Sequence, residues 1–178
     1  MPSLELVNRQ RKKHLDLVGF RAFAKPAMEK VSEMVRKVPL PEEIIVVFVS
    51  DARIAGIHRE FMAVDGPTDV ITFRHGEILI SVDTAERQAK RFSTSFSREL
   101  RLYFVHGLLH LAGLDDLTEA GFETMAAAQE EIVASVSEEV ASVSGQLSVG
   151  PKRSTERSIS ITKEEGNKCR RVSSSTDY

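Results

Sequence analysis

The sequence has no tryptophan, two tyrosines and a single cysteine in 178 residues. One cysteine excludes an internal disulfide framework and a four-cysteine zinc site. Apolar runs such as that from Ile44 to Val49 fall far short of the roughly 20 residues a membrane-spanning helix needs. The opening stretch, MPSLELVNRQRKKH, places charges where a secretion signal requires an apolar centre. Excess charge is missing too: 24 Lys and Arg face 26 Asp and Glu, a formal net charge of −2. The chain as a whole therefore does not read as a generic polyanion binder. What is present is 42% apolar residues, enough for a core. These features predict a soluble cytoplasmic protein with one folded domain.

Composition changes near residue 141. Residues 141–178 contain nine serines and no phenylalanine, with seven Lys and Arg against four Asp and Glu. This end reads as a disordered, basic, Ser-rich tail, which leaves residues 1–140 as the domain. Such a tail is either a solvated end without a role or an electrostatic arm for RNA. Cys169 lies in it and is not expected to be a ligand.

The body mixes strand and helix signals. Leu4–Val7 alternates like a short strand, and residues 44–50 form an apolar run rich in β-branched side chains. Asp69–Phe73 and Glu77–Ser81 read as two further strands joined by a tight hairpin at His75-Gly76. Helices are expected from Asp16 to Val38, with a kink or break at Pro26, and after Asp51, which can act as a cap. More are expected from Asp83 to about Phe92, from Ser95 or Ser97 to Gly113, and from near Asp116 to about Val140. Leu100, Phe104, Leu108 and Leu111 form the core stripe of the penultimate helix. The stripe of the last helix is Phe122, Met125, Gln129, Ile132, Val136 and Val140. The predicted class is α+β, a small mixed sheet of about four strands packed with helices.

The most informative segment is His106-Gly-Leu-Leu-His110-Leu-Ala-Gly113-Leu-Asp115-Asp116. Histidines at i and i+4 share one helix face, so both imidazoles can reach one ion. Gly113 lets the backbone leave the helix in a left-handed conformation. The reversed chain can then return Asp116 toward the same ion. Three protein ligands with an open position is the arrangement of a catalytic zinc site, and this donor set also suits other first-row metals. Two other readings stand beside this one. His106 and His110 can be buried histidines bonded to neighbours, and Asp116 can cap the last helix with Glu119 completing a capping box. The glutamate that follows the first histidine in HExxH proteases is absent, because position 107 is glycine. Glu99, about two turns before His106, can orient a ligand or simply complement the helix dipole.

These residues resemble a known family. HGLLHLAG is similar to the metal motif of the YbeY-type endoribonucleases, and PTDVITF (67–73) to their Pro-Thr-Asp-Val-Leu-Ser-Phe signature. GEILIS (76–81), DTAERQAK (83–90) and AAQEEI (127–132) fit in the same order. The resemblance implies a small mixed sheet with helices and one Zn²⁺ per chain on the HxxxH helix, held by His106, His110 and Asp116. It also implies cleavage of single-stranded RNA in maturation of small-subunit ribosomal RNA and in ribosome quality control. The implied partners are ribosomal RNA and small-subunit ribosomal proteins, with no membrane.

Two departures from the family pattern stand out. Asp116 replaces a third histidine, and its charge should make bound water less acidic than three neutral ligands would. Met62 replaces an arginine, and Ala63-Val64 a Gly-Lys pair, so this wall of the cleft is less basic. Candidate RNA contacts are Arg59 and Arg74, with Arg98 and Arg101 behind them. Glu77 falls at a position the resemblance ties to partner docking, and Thr68 and Asp69 at the turn beside the cleft. A non-catalytic RNA-binding or ribosome-assembly factor with a structural metal is the alternative. A zinc hydrolase of non-RNA esters or amides is a third reading.

Overall fold

The computed structural model describes residues 1–146. Four strands, β1 (Ser3–Asn8), β2 (Glu43–Val49), β3 (Val70–Phe73) and β4 (Glu77–Ser81), form one sheet in the order β1-β2-β4-β3. β1 and β4 both run parallel to β2, and β3 pairs antiparallel with β4. The helices are α1 (Leu17–Met34), α2 (Asp51–Met62), α3 (Val82–Phe92), α4 (Phe96–Leu111) and α5 (Glu119–Gln146). The class is α+β, as the sequence predicts. No helix among the described residues is long and apolar enough to cross a membrane.

Strand alternation divides the apolar residues between two faces. Ile44, Val46, Phe48, Val70, Ile78 and Ile80 join the main core against α1, α4 and α5. Val49, Ile71 and Leu79 point the other way and meet Ile54 of α2 in a smaller cluster. Phe20 of α1 bridges sheet and α4, edge to face with Phe48 at 5.1 Å and with Phe104 at 5.4 Å. α4 is the central helix: every residue from Leu102 to Leu111 is buried. A helix apolar nearly all round can only be satisfied there.

Gly107 permits the close approach of α4 to the sheet. A Cβ there would meet Thr72 Oγ1 at 2.9 Å and Ile78 Cγ2 at 3.0 Å. Position 107 thus faces strands, so a glutamate here would not point into a metal site.

Several helix ends differ from the sequence expectation. α1 stops at Met34 rather than Val38 because the next residues peel away onto the end of α4, where Val38 N donates to Ala112 O. Pro26 lies inside α1 without ending it. The carbonyl it leaves unpaired belongs to Ala22, on the exposed side, where water can satisfy it. Asp51 is the first residue of α2, not its cap, and α3 begins at Val82, one residue before Asp83, with Ser81 as its cap. The two aspartates serve each other's helices. Asp51 N donates to Asp83 Oδ2, while Asp51 Oδ1 accepts from Ser81 Oγ and Thr84 Oγ1. α5 begins at Glu119 and continues to Gln146, past the residue 141 expected to start the tail. The rest of that segment, Cys169 included, lies outside the described residues.

Candidate metal centre

Helix α4 delivers the two histidines at its C-terminal end. Their Nε2 atoms lie 2.9 Å apart, with the rings edge to face. Each Nδ1 has its own partner: Gln129 Oε1 for His106 and the Leu114 carbonyl for His110, both at 3.1 Å. A carbonyl oxygen only accepts, so each Nδ1 carries the proton and each Nε2 turns a lone pair inward. Two lone pairs facing at this distance repel unless a cation lies between them. Asp116 completes the group, one donor atom from each of the three residues lying within 4.8 Å of the others. Two imidazoles and a carboxylate fit a first-row divalent ion, and their outer partners hold the rings as metal-site partners do. The donor set thus matches a metal site; it does not choose among Zn²⁺ and its neighbours.

The return of Asp116 depends on local backbone chemistry. Gly113 has φ +89°, and Leu114 N bonds back to Leu109 O at 3.0 Å, closing α4 with a left-handed reversal. That reversal turns the Leu114 carbonyl toward His110 and brings the following residues back over the helix end. Thr118, not Asp116, serves the start of α5: its Oγ1 accepts from Gly121 N at 3.0 Å. The Asp116 carboxylate is therefore left for the histidines.

Burial keeps the site ready for a cation. His106 is 2% exposed and His110 6%. Burial, with the neighbouring His110 charge adding to it, pushes the His106 pKa down to about 3 against an opposing bond from Gln129. His106 is thus neutral at pH 7, the form that ligates.

Gln129 was visible in the sequence only as a polar residue in an apolar stripe, and its partner could not be named from that. It meets His106 Nδ1 directly. Glu99 is buried at the start of α4, where Thr94 Oγ1 donates to its carboxylate at 2.5 Å and Arg98 lies 3.9 Å away.

The candidate RNA contacts separate into two groups. Arg98 pairs with Glu130, and Arg101 donates to Ser137 Oγ at 3.1 Å while lying over the Phe23 ring. Both bind helices to one another. Arg74 is exposed and lines a cleft of about 310 Å³ with His110, Gly113, Val38, Pro39, Pro41 and Leu111. Arg59 is exposed on α2, 3.9 Å from the exposed Asp65.

Met62 packs against the small cluster on the α2 side of the sheet. Thr68 and Asp69 are buried where the chain bends into β3, Asp69 Oδ1 accepting from Thr68 Oγ1 at 3.0 Å and from Val70 N at 2.9 Å. Glu77 lines a second groove, about 480 Å³, on the sheet face away from α4, with Arg9 and Arg53 at its sides.

Comparison with known proteins agrees with this geometry. The family model described as Endoribonuclease YbeY matches residues 5–137. An endoribonuclease YbeY of Moorella thermoacetica is 40% identical over 113 residues, 53% of this chain and 72% of that protein. One from Geobacillus thermodenitrificans is 37% identical over 118 residues, covering 56% and 76% of the two chains. One from Bacillus cereus is 32% identical over 133 residues, covering 64% and 85%. The solution structure of a Thermotoga maritima protein superposes with a TM-score of 0.53 at 25% identity, covering 84% of this chain and 99% of that one. A family match over most of the described domain, with His106, His110 and Asp116 gathered at the end of its central helix, places this chain in the endoribonuclease YbeY family.

Proposed function

We propose that this chain is a metal-dependent endoribonuclease that cleaves single-stranded RNA, with small-subunit ribosomal RNA as its substrate. The observation that carries the reading is the inward-facing pair of histidine lone pairs joined by Asp116. It supports an open site: a structural zinc site has four protein ligands, and this cluster among the described residues has three. The non-catalytic alternative has no comparable observation behind it.

His106 and His110 through Nε2, and Asp116 through its carboxylate, would hold one ion, with Zn²⁺ the best match to the donors. Once bound, the ion supplies Lewis acidity at a phosphodiester and makes a water molecule more acidic. The chain's own groups do the rest. Gln129 and the Leu114 carbonyl fix the ring orientations. Arg74, which lines the same cleft as His110, offers a guanidinium to a phosphate. The low polarity around His106 strengthens each charge interaction at the site. The groove that carries Glu77 would receive a small-subunit ribosomal protein, and a ribosomal substrate places the protein in the cytoplasm.

The test is RNA cleavage and metal content measured together. Elemental mass spectrometry of protein purified without a metal-affinity tag should find about one zinc per chain. Asp116→Ala should lose it, and His110→Ala should lose cleavage of single-stranded RNA. Cleavage that survives His110→Ala, or protein that takes up no first-row metal at neutral pH, defeats the reading.

A further inference from the structure

The end of edge strand β3 carries aromatic rings on one side and a cation on the other. Phe61, on the last turn of α2, meets Phe73 edge to face with ring centroids 5.4 Å apart. Phe73 is stacked on His75, with centroids 5.6 Å apart and planes 25° from parallel. Phe61 is 49% exposed and the His75 side chain 67%. Between Phe73 and His75, Arg74 lines the cleft that contains His110.

From this arrangement we infer that Phe61, Phe73 and His75 form a base-stacking platform for single-stranded RNA, at the strand end from which Arg74 enters the His110 cleft. A strand whose phosphate meets Arg74 lays a neighbouring unpaired base against the rings. The inference rests on the proposed RNA-cleaving function and adds to it the residues that set the position of the strand.

The chemistry of the patch selects this occupant. Aromatic faces bind unpaired bases irrespective of sequence, whereas a paired base in a duplex has no free face to offer. Glu77 lies 3.5 Å from His75 Nε2, so it holds the ring by its edge and leaves the face turned away from Phe73 available. Phe61 is followed by Met62, the last residue of α2, and then by Ala63-Val64, with Val64 46% exposed. This part of the wall offers apolar contact in place of charge, so affinity there must come from stacking. Arginines flank the rings in sequence, Arg59 two residues before Phe61 and Arg74 between the other two rings. The patch comprises three rings at one strand end, with Arg74 of the same end lining the His110 cleft, which suits one or two nucleotides better than a protein surface.

The experiment measures binding of the metal-loaded protein to a short single-stranded 2′-O-methyl oligoadenylate, and to the same strand with abasic sites, by fluorescence anisotropy across a salt series. Phe61→Ala and His75→Ala, both at exposed rings, should weaken oligoadenylate binding by about 5- to 150-fold each. Both should leave abasic-strand binding and the salt slope unchanged, and Phe61→Trp should restore affinity. Arg74→Ala should instead weaken both strands and reduce the salt slope by about one. Equal binding of the two strands by the unmodified protein, or oligoadenylate binding unaltered in Phe61→Ala and His75→Ala, overturns the platform. In that case, continued cleavage of single-stranded RNA by the unmodified protein leaves the proposed function standing. Failure to bind or cleave RNA at all removes both.

Discussion

His106 Nδ1 lies 3.1 Å from Gln129 Oε1, a bond across 23 residues that ties α4, the helix of the candidate metal site, to the middle of α5. It fixes the tautomer that exposes the Nε2 lone pair, and it is the sole polar position in the apolar stripe of α5. Gln129 is itself buried at 3% exposure. The bond therefore couples packing of the last helix to readiness of the site.

Removing that bond should cost metal affinity before it costs structure. Gln129→Leu keeps the volume apolar and frees the His106 ring. Zinc affinity, measured by chelator competition, should fall by about 10- to 100-fold. An unchanged affinity would show that the ring is oriented by packing alone.

Metal should stabilise the fold, because the three ligands converge only in the folded chain. At free zinc 100-fold above its dissociation constant, the gain is about 2.7 kcal/mol. Thermal melting with and without zinc reads this directly, and His110→Ala should abolish the increment.

Gly107→Ala should destabilise the domain by about 1–3 kcal/mol, through overpacking between α4 and the sheet. The added methyl meets Thr72 Oγ1 at 2.9 Å and Ile78 Cγ2 at 3.0 Å. Urea denaturation is the check. Because Thr72 is the closest neighbour, Thr72→Ala combined with Gly107→Ala should recover part of the loss.

Asp51 makes stability depend on pH. Burial raises its pKa, but bonds from Arg87, Ser81 and Thr84, with the Arg87 charge, outweigh burial and hold it below the ordinary value of 3.8. A carboxyl whose folded pKa is depressed stabilises fully above its unfolded pKa and loses that contribution as pH falls through the folded one. Asp51→Asn should therefore cost about 1 kcal/mol at pH 7, a figure kept small by solvent screening. The difference from the unmodified protein should vanish at pH values below the aspartate range. A difference constant across that range would assign the effect to packing.

Much of the site was legible in sequence because its grammar is local. HxxxH places two rings on one helix face, and Gly113 signals the reversal that returns Asp116 within a few residues. The strand pattern was equally plain, since alternation needs only four to six residues to declare itself. The helix ends were less so. Asp51 and Asp83 both have the chemistry of caps, and each instead serves the neighbouring helix. Arg98 and Arg101 were candidate RNA contacts by their charge, and their partners on α5 were not legible.

What the sequence determined by itself is everything whose physics closes within one or two turns: the periodicity of α4, its left-handed stop, and the spacing of the three metal-site donors. What only the tertiary structure decided is which distant group meets which. Gln129 meets His106, and Thr118 takes the cap that frees Asp116. Gly107 faces the sheet, and Arg74 shares a cleft with His110. These pairings depend on how helices settle on a sheet, where side chains far apart in sequence compete for the same few buried hydrogen-bond partners.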